Sequence, residues 1–329
     1  MIPASFPAFR IHSDAAGYRS GVESVALDAL SPGEIVIRSA FSSVNYKDAL
    51  AGSGKGKILR QFPLIGGIDV AGHVVQSRDP AFKEGDAVLC TGCGLSETRD
   101  GGYAAYARLE SRWAIPLPVG LDLRESMILG TAGFTAGLAL LRMQDNRQTP
   151  DLGPLAVTGA TGGVGSLAIT IFSKAGYAVH AISGKAEQAE WLRSLGAAEV
   201  LGRDALASTR PMDAARFGGG LDNVGGAMLH ALLAHTAPYG NVATAGLAAT
   251  HDLATTVMPF IIRGVSLLGV ASAGTARDLR DEVWRRLSSD WKPACLDRIA
   301  TREVALDGLP AVFDDMLAGG SRGRTVVRL

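Results

Sequence analysis

The chain has 329 residues, 47% of them hydrophobic, which is ample material for two buried cores. Lysine plus arginine balances aspartate plus glutamate at 32 each, so no overall basic field exists to gather nucleic acid or an anionic membrane. The N-terminal stretch M-I-P-A-S-F-P-A-F-R has no cationic segment followed by an apolar run, no apolar stretch is expected to reach the length of a membrane span, and a cytoplasmic protein is expected.

Residues 1 to about 128 read as short β-segments between turns, with strands expected over 35–41, 71–76, 87–91 and 103–109. Many short strands at even turn spacing predict a barrel-like β domain. The three cysteines, Cys90, Cys93 and Cys295, are too few and too odd in number for a disulfide framework, which fits a reducing compartment. Cys90-Thr-Gly-Cys93 is a C-x-x-C, but it lacks a second pair for a structural metal and does not open a helix after a strand. Two ordinary thiols in a strand and loop are the expectation. An apolar helix follows over 127–141, then a polar loop over 144–153.

The stretch 156–165, A-V-T-G-A-T-G-G-V-G, organises what comes next. It reads as a buried strand, a tight turn and the start of a helix, and its small residues leave backbone N–H groups at the helix start open to a pyrophosphate. With Ala160 in the first glycine slot, the turn is A-x-G-x-x-G through Gly162 and Gly165, one residue away from the dinucleotide fingerprint. About twenty residues on, where an acid would bind the ribose hydroxyls of NAD, the chain has Ser183-Gly184-Lys185 instead. A hydroxyl, an amide and a cation suit an added 2′-phosphate, which favours NADPH over NADH. Beyond it strands and helices alternate to about residue 287, predicting a doubly wound parallel sheet. The strand 324–329 is expected to return to the first domain.

Other constellations fail. No tyrosine is followed by lysine four residues later, and there is neither G-x-x-x-x-G-K-[ST] nor H-E-x-x-H. Gly319-Gly-Ser321-Arg-Gly323 has the letters of a nucleophile elbow, but a helix precedes it and a strand follows, the reverse of what that motif needs.

The order of the pieces resembles the medium-chain dehydrogenase/reductase superfamily. Ser43-Val-Asn-Tyr-Lys-Asp48 and Gly67-Ile-Asp-Val-Ala-Gly72 stand where zinc-dependent members carry a cysteine and a histidine, and the four-cysteine lobe is missing, so the chain looks like a zinc-free member with no metal. Ser43 to Leu50, Gly54-Lys-Gly-Lys57, Phe62-Pro-Leu-Ile, Gly130 to Ala136, Thr255 to Ile261 and Gly323-Arg324 are similar to the quinone-oxidoreductase-like branch that includes the NADPH-dependent acrylyl-CoA reductases. Cys93, Arg99 and Asp100 depart from that pattern.

The resemblance implies an α/β chain with a GroES-like β-barrel substrate domain over 1–128 and 302–329 and a Rossmann NADPH-binding domain over 129–301, assembled as a homodimer. It also implies cofactor contacts from Tyr46, from Thr161, Gly162, Gly163 and Val164 at the pyrophosphate, from Ser183, Gly184, Lys185 and Arg203 at the adenosine phosphate, and from Leu247, Ile261 and Ser272 at the nicotinamide. The implied reaction is reduction of a C=C conjugated to a thioester, with charge developing on the carbonyl oxygen. Tyr46 and Asn45 are candidate donors there, Tyr46 also as proton donor or simply as packing for the ring, and Asn45 otherwise as a turn or cap residue, the commoner role of an asparagine at such a place. Lys55, Lys57 and Arg60 form a basic cluster that suits coenzyme A phosphates or a plain solvated loop. A quinone or enone reductase, and a non-catalytic NADPH-binding protein, are the alternatives.

Overall fold

The computed structural model describes residues 2–329. The chain divides into two compact units, Met1–Thr131 with Ala273–Asp281 and Ile299–Leu329, and Ala132–Ser272 with Glu282–Arg298.

The first unit is built of antiparallel strands. Phe6–Asp14 pairs with Gly17–Val25 along its whole length, from Phe6 opposite Val25 to Asp14 opposite Gly17, and with Leu64–Ile65 on its other side. A larger sheet runs Ala300–Val304, Arg324–Arg328, Ile35–Val44, Asp69–Ser77, Ala87–Thr91, Ile115–Pro116, with Tyr106–Leu109 also paired to Ile35–Val44. Phe9, Tyr103 and Phe313 interlock in the core, with Phe9 edge-on to both other rings. Edge-to-face contact suits the ring quadrupole and fixes these rings beyond what burial alone does. The sequence reading passed over the short helix Tyr46–Ser53. Residues 273–281, expected in the nucleotide domain, belong to the first unit: Arg277 donates to the carbonyls of Arg112 and Ala114, each at 3.1 Å, and Arg280 to that of Thr91 at 2.9 Å.

The second unit holds a six-stranded parallel sheet in the order Glu199–Leu201, Val179–Ile182, Leu155–Thr158, Phe217–Asp222, Thr236–Thr244, Ser266–Gly269. Leu155–Thr158 is buried throughout, the mark of a parallel strand covered on both faces. The order reverses between Leu155–Thr158 and Phe217–Asp222, and ligands of such sheets lie beyond the carboxyl ends of the strands at this switch.

One helix, Leu123–Asp145, corrects the expectation that no stretch is long and apolar enough to cross a membrane. Its mean hydropathy reaches 1.3, yet 89% of that window is buried within the protein. The helix is also broken at Gly130, whose φ of 48° and ψ of −155° are not helical. It is a core helix.

Candidate functional site

In the second unit, Gly162 precedes the helix Gly163–Lys174 in extended conformation, and its amide closes the turn on the Gly159 carbonyl at 3.0 Å. The first amides of a helix have no partner within it and carry the positive end of its dipole, so the start of this helix can receive an anion. Only glycine fits at 165, where a Cβ would lie 2.8 Å from the Ala160 Cα. Behind the turn, Asp222 ties the end of its strand to Thr158: the Thr158 hydroxyl donates to Oδ1 at 2.7 Å, and the Val224 and Gly225 amides donate to Oδ2 at 3.2 and 2.7 Å. Burial holds the Asp222 carboxyl above the usual carboxylate range. The sequence reading missed this residue, a lone acid at a strand end.

Beside the turn lies a cavity of about 60 Å³ whose lining includes Gly159, Thr161, Ser183, Gly184, Lys185 and Arg203. The Arg203 guanidinium lies over Gly184, with its Nε 2.7 Å from where a Cβ would sit. The Ser183 hydroxyl accepts the Lys185 amide at 3.0 Å. No carboxylate lines this cavity. Thr161 and the adenosine-phosphate set Ser183, Gly184, Lys185 and Arg203 therefore gather beyond the carboxyl ends of Leu155–Thr158 and Val179–Ile182, with Gly162, Gly163 and Val164 next in the chain at the helix start, and their chemistry fits a dinucleotide carrying an extra phosphate. Leu247 lines a second cavity of about 260 Å³ in the same unit, with Thr244, Gly246 and Val270. Ile261 is exposed on the short helix Met258–Arg263, and Ser272 is half-buried.

In the first unit, the segments that resemble the metal-binding loops of zinc enzymes meet in a buried polar knot. Asp69, fully buried, accepts from the Ser43 hydroxyl at 2.7 Å, the Asn45 amide at 2.8 Å, the Thr131 hydroxyl at 2.6 Å and the Thr131 N–H at 3.0 Å. Arg324, also buried, donates to the Val44 carbonyl at 2.8 Å, Asn45 Oδ1 at 3.1 Å and the Ser43 hydroxyl at 2.6 Å, and approaches Asp69 at 3.7 Å. Asp48 accepts the Asn45 N–H at 2.8 Å and the Ile68 N–H at 2.9 Å. Burial, then the charge of Asp69, pushes the Asp48 carboxyl up to about 7. A Cβ at Gly130 would sit 2.6 Å from Asp69 Oδ2 and 2.7 Å from Ser43 Oγ, so the helix break and the knot require each other.

Of the two roles weighed for Asn45, donor or cap, this geometry favours the cap: Asn45 is the N-cap of Tyr46–Ser53. Its two amide hydrogens go to Asp69 and Asp48 and its oxygen takes Arg324, so the side chain orients the knot and has no hydrogen left for a substrate. Tyr46, the first residue of its helix, is 45% exposed and its hydroxyl is unpartnered among the described residues. Lys55, Lys57 and Arg60 are exposed in the loop after that helix. Among the described residues no group of three or more histidine, cysteine, aspartate or glutamate side chains is arranged to hold a metal.

Residues 31–119 match the alcohol dehydrogenase GroES-like domain, and residues 163–289 the zinc-binding dehydrogenase family. The chain is 42% identical to the putative quinone oxidoreductase YhfP of Bacillus subtilis, covering 98% of this chain and 99% of that one. The crystal structure of that protein with NAD bound superposes with a TM-score of 0.96 over 99% of this chain and 100% of that one, again at 42% identity. Acrylyl-CoA reductase AcuI of Ruegeria pomeroyi is 41% identical over 94% of each chain. The yhdH oxidoreductase of Salmonella enterica, solved in complex with NADP, gives a TM-score of 0.95 at 42% identity over 98% of this chain and 99% of that one. The chain belongs to the medium-chain dehydrogenase/reductase family, in the quinone-oxidoreductase-like branch that contains the acrylyl-CoA reductases.

Proposed function

We propose that the chain is an NADPH-dependent reductase of the C=C bond in α,β-unsaturated thioesters, converting acrylyl-CoA to propionyl-CoA. The observation that carries the cofactor is the carboxylate-free cavity with Arg203 lying over Gly184 and Lys185 beside it. Kinship with AcuI at 41% identity over 94% of the chain supports the substrate class.

Bound NADPH supplies a hydride to the β-carbon. The chain's own residues do the rest. The amides at the start of Gly163–Lys174 hold the pyrophosphate, and Ser183, Lys185 and Arg203 take the 2′-phosphate. Leu247, Ile261 and Ser272 flank the nicotinamide. The Tyr46 hydroxyl donates to the thioester oxygen as charge develops there and passes a proton, directly or through water, to the α-carbon. Asn45, Asp48, Asp69 and Arg324 hold the start of the Tyr46 helix, so Tyr46 is the group that acts and the knot is what positions it. Lys55, Lys57 and Arg60 meet the coenzyme A phosphates as exposed cations.

The deciding measurement is NADPH consumption with acrylyl-CoA against a simple quinone. Faster turnover of acrylyl-CoA, with its KM raised in a Lys55→Ala/Lys57→Ala variant and quinone kinetics unchanged, is expected. Preference for the quinone favours the second reading, which the 42% identity to YhfP motivates. Binding of NADPH without any acceptor driving its oxidation leaves only a non-catalytic binding protein. Tyr46→Phe is expected to lower turnover by roughly ten- to a thousandfold while NADPH affinity holds; unchanged turnover reduces Tyr46 to ring packing.

The assembly belongs to the same proposal. Ser266–Gly269 ends the parallel sheet with an unpaired edge, near the exposed Val257, Ile261 and Ile262, and a second copy joined there makes a homodimer. Light scattering on the purified chain tests this. The three free cysteines fit the reducing cytoplasm as its place.

A further inference from the structure

The strand Gly17–Val25 packs on the carboxyl end of Tyr46–Ser53, the helix that begins with the proposed donor. The Tyr18 hydroxyl donates to the Ala51 carbonyl and the Ser20 hydroxyl to that of Gly52 at 2.7 Å, so side chains of the strand take carbonyls of the last helical turn. Gly54 then ends the helix in left-handed conformation, φ 72°, with its amide on the Ala51 carbonyl at 3.3 Å. A Cβ there would lie 2.8 Å from Tyr18 Cδ1, so the Tyr18 ring rests on the backbone of the turn. Phe62 meets that ring edge to face, with centroids 5.8 Å apart, and both residues are 39% exposed. Exposed aromatics scattered singly need no explanation, whereas this pair is held in place and borders a run of cations.

Those cations are Lys55, Lys57 and Arg60, which lie between Gly54 and Phe62 in the chain. All three are exposed, and none makes an ion pair among the described residues. Acids on neighbouring segments are already spent, Glu97 on Lys47 and Asp14 on Arg19. The loop that carries the cations is nonetheless fixed: the Ile58 amide donates to the Gly56 carbonyl at 2.9 Å, the Arg60 amide to the Glu97 carbonyl at 2.7 Å and the Gln61 side chain to the Thr98 carbonyl at 3.0 Å, while Leu59 is buried. Three positive charges on an ordered loop, with no anion of their own, are complementary to a polyanion. Aromatic faces beside them add a stacking surface for a base, and the two together suit a phosphorylated nucleotide.

We infer that Tyr18, Phe62 and the loop between Gly54 and Phe62 seat the nucleotide end of coenzyme A, an inference that rests on the thioester function proposed above. The adenine stacks on the exposed Phe62 ring, which Tyr18 braces, and Lys55, Lys57 and Arg60 take the 3′-phosphate and the diphosphate. Tyr46 begins the helix whose far end carries this seat. That helix has eight residues, about 12 Å of length at 1.5 Å per residue, a separation that the extended pantetheine arm covers. Neither a solvated loop nor a site for free phosphate calls for the aromatic pair, so the rings are what assign a nucleotide here.

The test first fills the cofactor site with NADP+, so that an adenosine phosphate cannot enter there, and then titrates the full chain with adenosine 3′,5′-bisphosphate by calorimetry. Binding is expected, weakened about tenfold in Phe62→Ala, within the worth of one base stacked on a ring, and restored in Phe62→Trp. Absence of binding, or equal affinity in Phe62→Ala and the unsubstituted chain, overturns the inference. Inorganic pyrophosphate binding as tightly as the nucleotide does the same, reducing the seat to an anion patch. In turnover, the preference for acrylyl-CoA over acrylyl-pantetheine, which lacks the nucleotide, is expected to fall about tenfold in Phe62→Ala. Reduction of both thioesters with that preference unmoved overturns the seat and leaves the thioester function standing. Reduction of neither overturns the thioester function, and the titration then decides the seat by itself.

Discussion

The turn of the second unit and the polar knot of the first are both gatherings of hydrogen-bond donors, and they treat negative charge in opposite ways. Around Gly162 the donors are backbone amides at a helix start, cleared of side chains and flanked by Arg203 and Lys185. Around Asp69 the donors are Ser43, Asn45 and Thr131, and the chain itself provides the anion they surround. On the proposed function the first arrangement awaits a ligand and the second is complete without one. The difference is one of completeness: the turn leaves its amides open, whereas at the knot Asp69 is the hub of a scaffold that Ser43, Asn45, Thr131 and Arg324 close around it.

Substitution at that hub sharpens the contrast most. Asp69→Ala removes the one acceptor shared by Ser43, Asn45 and Thr131 and leaves Arg324 buried beside no charge of opposite sign at 69. Breaking a buried pair in this way is expected to cost about 3–5 kcal/mol, read as a lowered midpoint in urea unfolding. If the knot is scaffold, NADPH affinity of the folded variant stays as it was. A variant that keeps full stability but loses cofactor would reverse the roles assigned to the two regions.

The two regions also differ in how far the sequence discloses them. The nucleotide turn is carried by ten contiguous residues, since backbone clearance needs glycine at set spacings, and Gly165 against Ala160 is such a need. The missing acid near Ser183 is likewise a local fact. The knot draws on positions 43, 45, 48, 69, 131 and 324, and no period in the chain links them. The sequence therefore leaves Asn45 between a donor and a cap, and that Asp48 and Asp69 take its two amide hydrogens is visible only where the three meet. The helix from Tyr46 had a local sign, Asn45 followed three residues later by Asp48, whose carboxylate takes the Asn45 N–H.

The next effect in size lies in the second unit. Arg203→Ala is expected to weaken NADPH roughly tenfold, the worth of one charge-assisted hydrogen bond at an exposed site, and to leave NADH nearly unchanged. Isothermal titration with both cofactors checks it, and unfolding stability should hold. Equal losses for the two cofactors would move Arg203 from the 2′-phosphate to the pyrophosphate. Tighter binding of NADH by the unsubstituted chain would remove the phosphate from the account, an outcome to be weighed because a relative has been solved with NAD bound.

The last expected effect is a slope with pH, and it belongs to Asp48. Its carboxyl, raised to about 7 by burial and by Asp69, faces Tyr103 and Arg324 as well, and in the unfolded chain it returns to about 4. The folded state therefore holds this proton more tightly than the unfolded state does. The stability it contributes is fully present below about pH 4 and is lost as pH rises through about 7. Asp48→Asn cannot titrate, so the difference in urea midpoint between the original chain and this variant should fall between those two values and level off above them. A difference that is flat, or that grows with pH, would mean that Asp48 is ionised throughout and that Arg324 faces two carboxylates, making the knot an anionic centre rather than a balanced one.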